Sequence, residues 1–344
     1  MMMHEINPSH GKQLEHLETG LDLIYNWGYE STRQDLRDLY KKAQRSQWIP
    51  DDTLPWEMDV DIQKSRPPVE MFPLYGSDLD RKLSEAQRET LYTEITSWIL
   101  SQFLHGEQGA LMAATQLVAV VPDMDSKYYV ATQVVDEARH VEVYDRYLRE
   151  KVGFSYPVSP HLKSLLDLIL KDSRWDMKLL GMQIMVEGLA LASFGMIRQY
   201  TTEPLLQRLI HYVMLDEARH VAYGVLALKD YYADATEKER MEREDFIYEA
   251  AVLMRDRFLY QQVWEKMGMP VEECTRIALD NIGQQMFRQL LFSKVVPAVK
   301  RIGLLSDRQR ERFQKLGILQ FESWEDPFAA LAEHPPEPLI RQSA

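Results

Sequence analysis

The hexapeptide Asp136-Glu137-Ala138-Arg139-His140-Val141 recurs as Asp216-Glu217-Ala218-Arg219-His220-Val221. In each copy a Glu and a His stand three residues apart. On a helix that spacing separates them by about 60° around the axis, so both side chains can face one metal ion. Thirty residues before each of these glutamates stands another in an apolar stretch, Glu107 and Glu187, so the whole pattern repeats at an offset of 80. Four carboxylates and two imidazoles form a hard oxygen and nitrogen shell suited to iron or manganese, with zinc able to enter in vitro. Four carboxylate charges nearly neutralise two divalent cations, whereas four bare acids crowded in a core are costly. One Glu-x-x-His on a helix is usually an exposed face. Two copies with matching flanks and matching upstream glutamates are not.

Neighbouring residues extend the pattern. Asp136 and Asp216 are placed to accept a hydrogen bond from the non-ligating ring nitrogen of a ligand histidine, across the bundle, and Arg139 and Arg219 to pair with those aspartates. Gly106, Gly109 and Gly188 flank the lone glutamates at a cost in helix propensity, which points to room for metal, dioxygen or substrate. His105 and His211 are not at ligand spacing and read as helix-surface or satisfied core histidines.

Four helices must carry these residues. Two give one Glu each and two give Glu-x-x-His, all pointing inward, which is what a two-metal site in a four-helix bundle requires. Helical periodicity is nearly continuous from Leu83, with a break at Pro122-Asp-Met-Asp. Further helices are expected at about 125–152, ended by Gly153, Pro157 and Pro160, then at 161–171, 175–200, 204–232, 236–267 and within 270–317. Pro204 suits a first helical turn. In the leader, Leu17–Trp27 and Ser31–Gln47 read as helical, and Trp48 to Pro73 reads as an ordered wrap or loop. No alternating strand pattern stands out, so the chain is expected to be all-α. The expected division is a leader (1–82) wrapping the bundle, a helical domain with the dimetal site (83–320) and an extended tail (321–344).

Composition agrees. The chain has 344 residues, 45% apolar and 27% charged, with sparse glycine and proline. A net charge of −13 argues against a nucleic-acid or anionic-membrane surface. The single cysteine, Cys274, excludes an intrachain disulfide and a thiolate-only metal site, and reads as a small buried or interface residue. The first residues lack the pattern of a signal peptide, and apolar stretches such as Ala110–Val121 are too short to span a bilayer, so the expectation is a cytoplasmic protein with no membrane span.

The doubled motif resembles the ferritin-like di-iron carboxylate superfamily, within it the branch related to the ribonucleotide reductase small subunit. That branch includes ligand-binding oxidases, multicomponent monooxygenase hydroxylases and acyl-carrier-protein desaturases. The likeness covers about residues 85–232, and Leu39-Tyr-Lys-Lys-Ala-Gln-Arg-Ser-Gln-Trp48 is similar to the leader of some members. The resemblance implies a ferritin-like four-helix core with additional flanking helices. Glu107, Glu137 and His140 would hold one metal and Glu187, Glu217 and His220 the other, with one or two carboxylates bridging. It also implies two iron ions or a Mn/Fe pair, dioxygen as co-substrate, an external electron donor such as a reductase or ferredoxin, and a homodimer.

Departures narrow the choice. Tyr144, four residues after His140, stands where the reductase subunit has its radical tyrosine, and reads as either a radical site or a site-lining core tyrosine. Residues 318–344 contain no tyrosine to relay a radical. The Val–Tyr crosslink of the ligand-binding oxidases maps to Gly109 and Met182. Arylamine N-oxygenases match in length, but their additional metal-ligating histidine maps to Val213, which sets this chain apart from them. The leading expectation is an oxidase or oxygenase acting on a small or lipid-like organic molecule, with Phe103, Leu111, Met112, Met182 and Met185 fitting an apolar pocket near the ligands. The alternatives are a ferroxidase or iron-handling protein, disfavoured by length, and a radical-generating subunit.

Overall fold

The structure is a computed structural model and describes residues 14–324. Among them there is no strand. Four long helices carry the repeated motif: α2 (Glu85–Val120), α3 (Met124–Arg146), α5 (Trp175–Tyr200) and α6 (Pro204–Tyr231). Helix α1 (Gln34–Arg45) lies against α3 and α6, and α4 (Pro160–Lys171) packs on α2. Among the described residues, six shorter helices follow α6: α7 (Glu237–Asp256), α8 (Gln261–Lys266), α9 (Val271–Asp280), α10 (Ile282–Leu290), α11 (Val295–Arg301) and α12 (Asp307–Lys315), and single helical turns at Pro50–Thr53 and Asp78–Lys82 precede α2.

Local chemistry sets where the bundle helices start. Ser84 and Gln87 form a reciprocal capping box on α2, and the Asp123 carboxylate accepts from the Ser126 N–H at the head of α3. Pro204 occupies the first turn of α6, where its missing N–H costs nothing, while Glu203 accepts from the amides of Leu205 and Leu206. The pairs α2–α3 and α5–α6 run side by side, as their short connections require. Trp98, Tyr129, Tyr144, Phe194 and Tyr223 are wholly buried between them. Each such side chain contributes on the order of 1.5–3 kcal/mol by leaving water.

Helix α5 is not uniform. Leu180–Val186 widens into a π-helical stretch that is buried throughout and ends where Glu187 begins. A second π stretch, Tyr147–Val152, closes α3 and stops at Gly153, whose φ of 90° needs glycine. Periodicity cannot reveal such widening, because one added residue per turn leaves an apolar run still apolar.

Several expectations need correction. Leu17–Trp27 is not helical; it is an extended strap whose Ile24 N–H donates to the Ala119 carbonyl at 2.9 Å and whose Asn26 side chain donates to Pro122 O. The single helix expected over 236–267 is broken by Tyr260, which takes a left-handed conformation with φ 56° and separates α7 from α8. One apolar stretch is longer than expected. Trp175–Tyr200 is long and apolar enough to cross a bilayer, yet 83% of its apolar window is buried inside the fold, because this helix carries Glu187 through the core. Trp48–Pro73, expected as an ordered wrap or loop, is loop with short helical turns at Pro50–Thr53, Ile62–Ser65 and Val69–Met71, and it buries Trp48, Leu54, Trp56 and Phe72. The expected extended tail falls, from residue 325 onward, outside the described residues.

Candidate metal centre

The bundle brings Glu107 from α2, Glu137 and His140 from α3, Glu187 from α5, and Glu217 and His220 from α6 to one buried place. His140 shares a ligand-sized cluster with Glu107, Glu137 and Glu217, and His220 shares one with Glu137 and Glu187. Both imidazoles turn Nδ1 toward the carboxylates. His140 Nδ1 stands 3.3 Å from Glu107, 3.4 Å from Glu137 Oε2 and 3.1 Å from Glu217 Oε1. His220 Nδ1 stands 3.1 Å from Glu137 Oε1 and 3.5 Å from Glu217 Oε2. Glu137 and Glu217 thus each present one oxygen toward each imidazole.

The remaining ring nitrogens face the aspartates across the bundle. His140 Nε2 is 3.1 Å from Asp216 Oδ2, and His220 Nε2 is 3.4 Å from Asp136 Oδ2. These carboxylates are held by two buried guanidiniums. Arg139 donates to Asp136 and, at 2.9 Å, to Asp216, and Arg219 donates to Asp216. Residues that the sequence pattern did not single out complete the frame. The Trp48 indole N–H donates to Asp216 Oδ2 at 2.8 Å, and Gln47 donates to Asp136 at 2.8 Å. Gln133 donates to Glu137 at 3.1 Å and to Glu187 at 2.9 Å. A glutamine one turn before each of Glu137 and Glu187, in otherwise apolar helix, was the signal for Gln133 and its partner Gln183. For Gln47 and Trp48 no local signal exists, since the contact spans about ninety to 170 residues.

The electrostatics are those of a cluster built for cations. Burial, followed by the charge of Glu217, raises the carboxyls of Glu107 and Glu187 well above the usual range. Burial works the same way on Glu137, but the charges of His220 and His140 outweigh it and hold that carboxyl low. His140 and His220 are raised well above an ordinary imidazole, since the surrounding carboxylates outweigh their burial. Glu137 Oε2, Glu187 Oε2, both Glu217 oxygens and His220 Nδ1 have no hydrogen-bond partner although wholly buried. Five orphaned ligand atoms converging on one place fit a pair of divalent metals, which would satisfy all of them.

Other candidates fall elsewhere. His105 Nε2 is 2.8 Å from the Tyr156 carbonyl. His211 lies against Tyr212, and burial beside Arg198 and Arg208 lowers it to about 4. Met112 is 46% exposed and Leu111 half-buried, so these two face away from the site, while Phe103, Met182 and Met185 are buried. An added Cβ on Gly106 would meet nothing within 4 Å, but the other two glycines open no room: a Cβ on Gly109 would strike Leu166, and one on Gly188 would crowd Val295 at 3.3 Å. They let α4 and α11 approach the bundle. Tyr144 packs against Phe103 and Phe194, one turn below His140, with a hydroxyl that has no partner.

Comparison with known proteins agrees with this architecture. R2-like ligand-binding oxidase with aerobically reconstituted Mn/Fe cofactor superposes with a TM-score of 0.54 at 16% identity, covering 82% of this chain and 99% of that one. The same oxidase after photoconversion gives a TM-score of 0.57 at 15% identity, covering 82% and 100%. At that identity the likeness establishes the fold, a ferritin-like helical bundle. No curated protein matches. The family model described as p-aminobenzoate N-oxygenase AurF matches residues 30–303. That match overturns the separation drawn from Val213: the valine is wholly buried in an apolar cluster, and the chain nonetheless matches the N-oxygenase family model. Spanning both copies of the motif and the leader helix that braces them, the match makes this chain a member of the AurF family, a dioxygen-dependent dimetal oxidoreductase.

Proposed function

We propose that Glu107 and His140 hold one metal and Glu187 and His220 the other, with Glu137 and Glu217 bridging, and that the pair oxidises a small organic molecule, of arylamine or lipid-like type, at the expense of dioxygen. The observation that carries this reading is the doubly facing arrangement of Glu137 and Glu217, each with one oxygen toward each imidazole. When bound, two reduced metals supply electrons to dioxygen. The residues fix the rest. Asp136 and Asp216 hold both histidines by Nε2, so that Nδ1 is presented as a ligand. Gln133 orients the carboxylates, and the rings of Phe103, Tyr144 and Phe194 keep water from the open side. The direct test is dioxygen uptake by protein loaded anaerobically with ferrous iron. Rapid uptake supports the reading, and none, in protein holding two irons, overturns it. Accumulation of many irons per chain would favour iron storage.

An external electron donor, such as a ferredoxin with its reductase, fits the leader. Trp48 is 8% exposed, packs beside half-buried Tyr212 at a ring distance of 5.3 Å, and hydrogen-bonds through Asp216 to His140. Trp48→Phe removes the indole N–H from that path. Re-reduction of the oxidised centre by such a donor is then expected to slow by about 10–100-fold with metal content kept. An unchanged stopped-flow rate would separate Trp48 from electron delivery.

Tyr144 lines the site and is not a radical carrier in this reading, because its hydroxyl has no acceptor for the proton that oxidation releases. Tyr144→Phe is expected to leave dioxygen uptake unchanged and to stabilise the metal-free protein by about 1–3 kcal/mol, the cost of an unmet buried hydroxyl. Loss of uptake in this variant would restore the radical role. The proposed assembly is a homodimer in the cytoplasm, supported by the exposed apolar strap, where Leu23, Tyr25, Trp27 and Tyr29 are more than half exposed.

A further inference from the structure

A narrow throat with a clear volume of about 40 Å³ runs between the first half of α2, the end of α5 and the head of α10, with the leader around Phe72 as its outer wall. Ile95, Leu100, Ile197, Tyr200, Tyr260 and Gln284 face it, and none of the residues lining it carries a charge. Its inner end is aimed at the metal centre. Leu100 stands seven residues before Glu107, about 10 Å along the helix, and belongs to the same apolar cluster as Phe103, Tyr144 and Phe194. Those three rings, with centroids 4.7, 6.0 and 6.1 Å apart, separate the throat from the carboxylates. The cluster between the throat and the carboxylates is apolar.

The outer end of the throat is not. The Gln284 carboxamide is 2% exposed and donates from Nε2 to the Met71 carbonyl, which fixes the orientation of the amide. The Tyr260 hydroxyl is close to Gln284, yet Gln284 Oε1 has no hydrogen-bond partner. A buried acceptor left unmet in the wall of a passage suits a ligand that brings a donor. Tyr260 itself is the one non-glycine residue of positive φ among the described residues, and that backbone conformation presents its ring to the throat between Trp98 and Trp264. Strain of this kind at a passage wall is a mark of function.

We propose that this throat is the substrate's route to the metal pair, and that it admits an uncharged, largely apolar molecule whose N–H or O–H group is received by Gln284 Oε1. The guanidiniums nearest the lining are already engaged, Arg66 over the Tyr92 ring with Glu89, Arg88 over Phe72 with Asp80, and Arg288 beside Tyr260 with the Ala278 and Leu279 carbonyls. A carboxylate would have to compete for them or shed its water without compensation. The family's named substrate, p-aminobenzoate, is therefore a poor fit, and a neutral arylamine is a good one. The inference rests on the reading that the metal pair oxidises an organic molecule.

The test uses iron-loaded full-length protein and two probes, methyl 4-aminobenzoate and p-aminobenzoate, with binding followed by calorimetry. The neutral ester is expected to bind at least roughly tenfold more tightly than the acid. Thr96→Trp and Ile99→Phe, both at half-buried positions of the wall, are each expected to weaken ester binding about tenfold or more. Gln284→Leu is expected to weaken it by a similar factor. Equal or tighter binding of the acid, no binding of either probe, or ester binding indifferent to both blocking variants would overturn the proposal. Dioxygen uptake without probe separates the two readings. If the ferrous protein consumes dioxygen while the throat variants bind ester normally, only this inference fails; if it consumes none, the oxidase reading fails first.

Discussion

Replacement of Asp216 by alanine is expected to cost about 3–5 kcal/mol of folding stability in the metal-free protein, the penalty for stripping a buried cation of its partner. Asp216 is 1% exposed and accepts from Trp48, Arg139, Arg219 and His140 at once. Without it, Arg219 keeps the Leu215 carbonyl at 2.9 Å and, as a carboxylate partner, the more distant Asp136 at 3.7 Å. Asp216→Asn keeps an acceptor for the indole and imidazole and is expected to lose less. Because the metal-holding histidine also loses its brace, metal affinity should fall about 10–100-fold in either variant. Chemical denaturation reads the first effect and competition with a chelator the second. A stability loss below about 1 kcal/mol in the alanine variant would mean the aspartate–arginine lattice does not hold the site.

Removal of Glu137 is expected to empty the centre of both metals, not one. Its oxygens stand between the two imidazoles, so Glu137→Ala deprives each metal of a ligand, whereas Glu187→Ala removes a residue grouped only with His220 and Glu137. Elemental analysis after dialysis should therefore find no stoichiometric metal in Glu137→Ala and about one tightly held ion in Glu187→Ala. Retention of two ions by Glu137→Ala would exclude a bridging role. The sign of the pH dependence follows from the same cluster. In the metal-free state Glu107 and Glu187 are raised by burial, and the imidazoles are raised by the carboxylates, so metal must displace protons. Affinity is expected to fall as pH falls, with proton release measurable by calorimetry in buffers of different ionisation enthalpy.

The positions that meet at the centre were legible in the sequence because they are local and doubled. A three-residue Glu-to-His step and a matched upstream glutamate constrain geometry wherever the helices are amphipathic or apolar. What sets the protonation, orientation and access of those residues was not legible, because it is carried by contacts between distant segments. Trp48 meets Asp216 across the bundle, and Gln133 joins Glu137 to Glu187. Gly109 read as space near a ligand and is instead the contact with Leu166, since a glycine beside a glutamate does not reveal which face of the helix it lies on. The strap at Leu17–Trp27 misled for a related reason: its apolar residues pair with the end of α2 and with solvent, and a helical spacing of apolar residues is weak support when few of them are buried. Tyr260 breaks a helix that has no glycine or proline at the break.

The central claim is that one pair of metals sits among the six repeated-motif residues. Crystals of the protein loaded with ferrous iron, measured on both sides of the iron absorption edge, test it most directly. The predicted result is two anomalous peaks about 3–4 Å apart, each within coordinating distance of one Nδ1 and with Glu137 and Glu217 between them. A single peak, or peaks away from His140 and His220, would contradict it.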